Sequence, residues 1–153
     1  KKQVMNFDLI VNIQGDEPFI NPLQLDEIIN LFDDVKTQIG TLAKKIEDIE
    51  IIKDKNSPKA IFDKEGNALN FCRKITNISN KESYYKHVGI YAYKKDVLAK
   101  ICSLPQSKNE IREQLEQLRW LDNNYRIKVG ITNFQSHSID TTEDIEKIKQ
   151  QMI

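Results

Sequence analysis

Two adjacent carboxylates, Asp16 and Glu17, directly follow an apolar segment in the stretch VNIQGDEPFI at residues 11–20. In open α/β sheets, ligands bind beyond the carboxyl ends of strands, so this turn and Gln14 would line a ligand site if the apolar segment is a central strand. A carboxylate there suits Mg²⁺, which takes one or two protein carboxylates and keeps water and phosphate oxygens. A solvated turn is the alternative, because Asp-Glu-Pro is an ordinary turn composition. The pattern alone leaves both interpretations open.

A second acidic position lies in the stretch HSIDTTED at residues 137–144. Thr141 and Asp144 resemble a capping box that opens a last helix, which explains both residues without chemistry. Asp140 precedes this cap. It could complete a two-carboxylate metal site with Asp16, or it could be a solvated residue before the helix. The local pattern by itself favours the solvated residue.

The composition limits the class of protein. With 153 residues, we expect one domain over residues 1–153, large enough to bury a hydrophobic core. Lys plus Arg equals Asp plus Glu at 23 each, which argues against nucleic-acid and anionic-membrane partners. Cys72 and Cys102 form no Cys-x-x-Cys pattern, so a reduced, cytoplasmic setting is expected. The sequence shows no leader and no apolar run near about 18 residues, which predicts a soluble protein.

The hydrophobic pattern predicts alternating strands and helices. Residues 7–13 are nearly continuously apolar, as in a strand buried on both faces of a parallel sheet. Asn21 and Pro22 supply an N-cap and a first-turn proline for a helix that follows. Further strands are predicted over residues 40–46, on both sides of a turn at 63–67, and over 87–93 and 126–132; further helices are predicted over 95–103, over 108–123 and from 141. This order favours an α/β fold with a mixed, mostly parallel sheet flanked by helices.

Four motifs in order, VNIQGDEPFI, KHVGIYAYKKDVL, QLEQLRWL and HSIDTTEDIEKI, resemble those of the CMP-Kdo synthetases. These cytidylyltransferases activate 3-deoxy-manno-octulosonate (Kdo) for lipopolysaccharide synthesis. The resemblance runs from about residue 8 to the C-terminus and implies a nucleotidyltransferase, Rossmann-like fold that is incomplete at its N-terminus. The family's basic, glycine-containing loop for the CTP phosphates has no counterpart here, so we expect this chain alone to bind CTP poorly and to turn over little. A cytoplasmic homodimer is the implied assembly.

The resemblance also implies a reaction and a role for particular residues. CMP would pass from CTP to Kdo, which gives CMP-Kdo and pyrophosphate. Asp16 and Asp140 match the family's two magnesium-binding aspartates and would be the catalytic metal ligands. Arg73 matches an arginine whose forked guanidinium suits a sugar carboxylate. The full set of matched sugar-acid contacts is Gln14, Arg73, His87, Tyr91, Glu116 and Gln117.

Each matched residue also has a structural interpretation. Without the resemblance, His87 would be a hydrogen-bonded or surface histidine and Tyr91 a core aromatic residue. Arg73 would be a surface charge, and Glu116 with Gln117 would lie on a solvated helix face. Because His87, Gly89 and Tyr91 alternate along a strand, they are expected on one face of it.

Besides the absent CTP loop, a second departure from the family pattern has two parts. Residues 74–86 form a shorter segment than is usual in the family, which could alter a dimer contact. Ser138 and Thr142 stand where glycine and proline are usual. The alternatives are a cytidylyltransferase for another acidic sugar, such as 8-amino-Kdo or a nonulosonate, and a non-catalytic fragment that keeps the fold.

Overall fold

A six-stranded sheet organises the computed structural model, which describes residues 7–15, 17–18, 20–79 and 82–134. The strands are β1 Leu9–Ile13, β2 Ile39–Lys45, β3 Lys59–Phe62, β4 Ala68–Cys72, β5 Tyr85–Lys94 and β6 Ile127–Thr132. The helices are α1 Pro22–Asn30, α2 Ile49–Lys53, α3 Lys95–Ile101, α4 Lys108–Glu113 and α5 Gln117–Asp122, with a short 3-10 helix at Leu31–Asp33. None of the helices in these ranges is long and apolar enough to cross a membrane.

Strand β5 lies inside the sheet, whose order is β4-β3-β5-β2-β6 with β1 also paired to β5. β5 runs antiparallel to β1, β2 and β3, and β3 and β4 form an antiparallel hairpin. The β2–β6 pairing is the parallel one among the described strands. The prediction of a mixed α/β sheet with flanking helices is therefore confirmed, but the prediction that the sheet is mostly parallel is wrong for these strands. An apolar run indicates that a strand is buried, not the direction in which it runs.

Strand β1 is less buried than its apolar sequence predicts. Among the described residues it pairs with β5 alone, and Ile13 is 46% exposed. The expectation of a strand buried on both faces is therefore wrong for β1 in this structure. A strand with one neighbouring strand covers less of its surface than a central one, and the sequence pattern does not report the number of neighbours.

Two local signals produce the structures that they predict. The Asn21 side chain accepts a hydrogen bond from Leu23 N, and the Gln24 side chain accepts one from Asn21 N, so a capping box opens α1 with Pro22 in its first turn. The turn between β3 and β4 is held by the Asp63 carboxylate, which accepts bonds from the backbone and side-chain nitrogens of Asn67 at 2.7 and 2.8 Å.

Helices cover both faces of the sheet, and the hydrophobic core consists of two clusters, one on each face. On one face, Ile28 of α1 packs with Leu42, Val88 and Ile90. On the other face, α3 and α5 contribute to a larger cluster that includes Trp120 and aromatic residues of β4 and β5. Because β5 supplies residues to both clusters, it is buried on both faces, and its side chains are held in fixed positions.

The helix predicted over residues 108–123 is instead two helices. α4 ends at Glu113, Gln114 adopts a left-handed conformation with φ of 53°, and α5 begins at Gln117. Ile111, an apolar residue of α4, is 61% exposed. We refer to residues 114–116 as the α4–α5 turn. The predicted helix from Thr141 lies outside the described residues, and α2 was not predicted from the sequence.

An ion pair fixes the relative position of α4 and α5. The carboxylate of Glu110 accepts hydrogen bonds from Arg119 Nε at 2.8 Å and from Arg119 Nη2, and it also accepts one from Ser107 N at 3.1 Å. The side chains of Glu110 and Arg119 are 6% and 15% exposed. The hydrogen bonds from Arg119, followed by that from the Ser107 backbone, hold the pKa of Glu110 below its ordinary value of 4.5.

We expect Glu110→Gln to lower the free energy of unfolding by about 2 kcal/mol at neutral pH, because it removes a buried charged acceptor of four hydrogen bonds, one of them from Gln106 Nε2 at 3.4 Å. The pKa of Glu110 is lower in the folded protein, so its contribution is complete above pH 4.5 and is lost as the pH falls through the folded value. Urea unfolding should therefore show a difference between wild type and variant that shrinks on acidification. Glu50→Gln, which removes an exposed pair with Lys53, is the control and should change stability by less than about 0.5 kcal/mol. A pH-independent difference would contradict the assignment.

Candidate active site

A cavity of about 700 Å³ opens beside β5 and gathers residues from distant parts of the chain. Its walls come from the end of β1, the segment at residues 55–58, the residue after β4, the first half of β5 and the α4–α5 turn. All six residues predicted to contact a sugar acid line it: Gln14, Arg73, His87, Tyr91, Glu116 and Gln117. The cavity also includes residues that sequence analysis did not assign, among them Lys55, Asn56, Lys86 and Gln114.

The two aspartates predicted to bind magnesium, Asp16 and Asp140, lie outside the described residues. Within the described ranges, no group of three His, Cys, Asp or Glu side chains is arranged to hold a metal ion. Gln14 and Glu17, which lie within two residues of Asp16 in the sequence, both line the cavity. Carboxylates are the donors that Mg²⁺ prefers, so the chemistry of the predicted pair fits that ion.

Gly89 allows the β1 end to approach β5 closely. A Cβ atom at this position would lie 2.9 Å from Gln14 Oε1 and 3.4 Å from Glu17 Cγ. Glu17 is buried, and its backbone N donates to Gln14 O at 3.1 Å in the turn that follows β1. The absence of a side chain on Gly89 therefore makes room for the Gln14 amide at the cavity wall.

We expect Gly89→Ala to fold normally but to raise about fivefold the KM for the sugar acid that the family resemblance implies, because the new methyl displaces the flexible end of Gln14. Steady-state kinetics on Gly89→Ala, Gln14→Ala and the double variant would test whether the methyl group raises KM by displacing Gln14. If the methyl acts through Gln14, the double variant should bind the sugar acid no more weakly than Gln14→Ala. Fully additive effects of the two substitutions on KM would contradict this explanation.

Arg73 connects two walls of the cavity. Its Nε donates to Glu113 O at 2.8 Å, Nη1 to Lys55 O at 3.1 Å and Nη2 to Gln114 O at 3.2 Å. A guanidinium has five N–H groups, so these three bonds leave two for a ligand. Arg73 is therefore more than a surface charge, because it holds the α4–α5 turn against the segment at residues 55–58.

The side chain of a buried lysine, Lys59, bonds to the backbone of Arg73. Lys59 is fully buried, and its Nζ donates to Arg73 O at 3.1 Å and to Asp54 O. Burial lowers its pKa, and the nearby Asp54 carboxylate opposes that effect. Sequence reasoning missed Lys59 because an isolated lysine in a short strand carries no signal of burial.

His87 and Tyr91 are both buried and both line the cavity. The His87 ring packs against Phe71 edge to face, with centroids 5.2 Å apart, and against Tyr91 at 5.4 Å. Burial, and to a lesser degree Lys86, lowers the pKa of His87 to about 3, so the imidazole is neutral. Burial also raises the pKa of Tyr91 well above its ordinary value, so its hydroxyl keeps its proton. The predicted placement of His87, Gly89 and Tyr91 on one face is confirmed by their shared position along the cavity.

The described walls combine positive charge with polar and acidic groups. Lys55, Arg73 and Lys86 supply the cations, while Glu17 and Glu116 supply carboxylates. Glu116 is held by Arg119 at 3.7 Å on the exposed side of the α4–α5 turn, whereas Gln117 is buried. Such a cavity can bind an anionic group on its basic residues and hydroxyl groups on its amides and carboxylates.

Comparison with known proteins finds relatives over most of the chain. A sequence model of the family described as Cytidylyltransferase matches residues 2–129. A 3-deoxy-manno-octulosonate cytidylyltransferase of Bacteroides thetaiotaomicron is 46% identical over 95% of this chain and 63% of its own length. Those of Parabacteroides distasonis and Porphyromonas gingivalis are 47% and 44% identical, over 92% and 91% of this chain. The chain spans between 59% and 63% of the length of these three relatives.

Comparison with solved structures also supports a nucleotidyltransferase fold. A CMP:2-keto-3-deoxy-manno-octonic acid synthetase complexed with CTP matches 97% of this chain and 63% of its own chain, with a TM-score of 0.87 and 33% identity. The inositol-1-phosphate CTP transferase from T. maritima matches 97% of this chain and 56% of its own with a TM-score of 0.64, and at 18% identity it supports the fold alone. The resemblance predicted from the four motifs and the nucleotidyltransferase fold are therefore confirmed.

Proposed function

Because the chain belongs to the cytidylyltransferase family, we propose that it is part of an enzyme that transfers CMP from CTP to Kdo and releases pyrophosphate. The observation that carries this proposal is the cavity beside β5, which brings together six residues that the family resemblance matches to sugar-acid contacts. Since the chain spans at most 63% of the length of the relatives compared above, the proposal concerns the longer protein. We expect the 153 residues alone to show little turnover.

In the proposed reaction, the anomeric hydroxyl of Kdo attacks the α-phosphorus of CTP. A new P–O bond forms to the sugar, the hydroxyl proton is released to water, the bond from the α-phosphorus to the oxygen that bridges to the β-phosphorus breaks, and pyrophosphate leaves. No covalent intermediate on a side chain is required, so positioning and electrostatic stabilisation carry the catalysis. Mg²⁺, held by Asp16 and Asp140, would neutralise phosphate charge when bound.

The cavity residues would orient the sugar acid. The two N–H groups that remain on Arg73 are suited to the sugar carboxylate. Tyr91 keeps its proton and can donate a hydrogen bond, and Gln14 and Gln117 carry amides that both donate and accept. Glu116 can accept bonds from sugar hydroxyls. The buried positions of His87, Tyr91 and Gln117 support this role, because a fixed side chain loses little conformational entropy when a ligand binds.

The proposal includes the cellular setting of the family. We infer a cytoplasmic homodimer that supplies CMP-Kdo for lipopolysaccharide synthesis, as the family resemblance and the predicted reduced setting imply. Size-exclusion chromatography with light scattering on the longer protein would test the dimer, and a monomer at micromolar concentration would contradict it.

Pyrophosphate release is the direct test of the proposed function. The assay would contain CTP, Mg²⁺ and Kdo, and would compare this chain with a version extended at its N-terminus by the upstream coding sequence. Release by the extended version alone would support the proposal for both the reaction and the need for the longer protein. Parallel assays with 8-amino-Kdo and a nonulosonate would identify another acidic sugar as the substrate. No release with any of the three, from a folded extended protein, would favour a non-catalytic role.

A further inference from the structure

Thr41 of β2 contacts His87 of β5 behind the cavity wall. The register of the β2–β5 pairing shifts between Thr41 and Leu42. The Thr41 side chain, at this shift, is fully buried. Its Oγ1 lies 2.9 Å from His87 Nε2, 2.8 Å from Ile90 O and 3.4 Å from Val88 O. One hydroxyl thus has three polar neighbours.

The number of protons in this group of atoms determines the direction of each hydrogen bond. A threonine hydroxyl has one proton and two acceptor lone pairs, while a backbone carbonyl can only accept. The proton therefore belongs on the bond to Ile90 O, the nearer carbonyl. His87 Nε2 must then donate to Thr41 Oγ1. The reverse assignment would leave the oxygens of Thr41 and Ile90 at 2.8 Å with no proton between them.

The other ring nitrogen of His87 is open to the cavity. Because the buried imidazole is neutral, it carries one proton, and a proton on Nε2 leaves a lone pair on Nδ1. Nδ1 makes no hydrogen bond to the described part of the chain. Nδ1 is not one of the fully buried polar atoms in the described residues that lack a hydrogen-bond partner, so it is not sealed from the cavity. His87 also lines the cavity. Nδ1 is thus accessible to a ligand.

We propose that Thr41 is a positioning residue that fixes His87 as the Nε2–H tautomer, so that Nδ1 accepts a hydrogen bond from a hydroxyl of the bound ligand. The identity of that ligand as a sugar acid rests on the proposed function, whereas the tautomer does not. A lone pair repels a carboxylate, so His87 selects a hydroxyl at its place in the cavity. The sugar carboxylate is thereby directed to the basic side of the cavity, where Arg73 lies.

The tautomer can be measured in the chain without any substrate. The sequence contains two histidines, His87 and His137, so a ¹⁵N-histidine-labelled sample gives two ring systems, and His137→Gln assigns them. Long-range ¹H–¹⁵N spectra at neutral pH should show His87 protonated at Nε2 and unprotonated at Nδ1. A wild-type His87 protonated at Nδ1 would overturn the proposal, and this arm needs no substitution near the core.

Two substitutions at Thr41 separate the hydroxyl from the shape of the side chain. Thr41→Val keeps the shape and removes the acceptor, so we expect the proton of His87 to move to Nδ1, where cavity water can accept from it. Thr41→Ser keeps the hydroxyl and should keep the Nε2–H tautomer. Circular dichroism would verify that both variants fold. An unchanged tautomer in folded Thr41→Val would show that Thr41 does not set it.

Kinetics on the extended protein test the consequence for the ligand. Thr41→Val should raise the KM for Kdo about tenfold with little change in kcat, while Thr41→Ser should stay within about twofold of wild type. A changed tautomer with an unchanged KM would overturn the role of Nδ1 as an acceptor. Failure of the wild-type protein to release pyrophosphate with Kdo would reject the proposed function, but it would leave the spectroscopic result to decide the tautomer.

Discussion

Replacement of Arg73 by lysine is expected to raise the KM for the sugar acid at least about tenfold and to lower the free energy of unfolding by about 2 kcal/mol. The guanidinium bonds three carbonyl oxygens from two segments, at Lys55, Glu113 and Gln114. A lysine carries its donors on one atom and cannot reach all three oxygens while also presenting a fork to a carboxylate.

Two measurements separate the roles of Arg73. Urea unfolding of the chain reports the loss of the carbonyl contacts, and steady-state kinetics of the extended protein report the loss of the ligand contact. Arg112→Lys is the matched control, because Arg112 lies on the adjacent helix α4 and is largely exposed, with an ion pair to Glu113. It should change neither quantity appreciably. An unaltered KM in folded Arg73→Lys would count against the assignment to the sugar carboxylate.

Asp16→Asn should reduce the turnover of the extended protein about a hundredfold or more, with the fold unchanged. The substitution keeps the shape of the side chain and removes the charge proposed to hold Mg²⁺, whose effect on phosphoryl charge amounts to several kcal/mol. Gln14 and Glu17, which lie within two residues of Asp16, line the cavity, which supports a role for this turn.

The dependence on magnesium distinguishes a metal ligand from a general structural residue. Turnover by Asp16→Asn should require more Mg²⁺ than wild type, and removal of the metal with a chelator should abolish the activity of both. Asp26→Asn, on the exposed side of α1, is the control for loss of one carboxylate and should behave as wild type. Wild-type activity and magnesium dependence in Asp16→Asn would refute the proposed metal role.

The sequence predicts best those elements whose signals are local. The capping box at Asn21 and the turn at Asp63–Asn67 each depend on side chains within four residues of one another, so composition was enough to locate α1 and the β3–β4 hairpin. Strand direction depends on which distant segments pair, and the mostly parallel sheet expected from apolar runs was wrong for that reason.

The candidate site also contains residues that sequence motifs predict and features that no sequence signal reveals. Ordered motifs selected six residues that the structure places along one cavity, although their functional roles stay predictions. The break at Gln114 was missed because a left-handed glutamine has no sequence signal comparable to glycine or asparagine. The contacts of Arg73 were missed because they go to backbone carbonyls, which every residue possesses.

The position of β5 gives the two sides of the cavity different local stability. Tyr91 lies where β5 is paired with both β1 and β2, and the His87 backbone N donates to Pro58 O at 2.8 Å, so these two amides should be among the slowest to exchange with solvent. The opposite wall is built from residues 55–58 and the α4–α5 turn, where backbone groups lie outside the sheet. Hydrogen exchange should therefore divide the cavity into a slowly exchanging side on β5 and a faster-exchanging side at residues 55–58 and the α4–α5 turn.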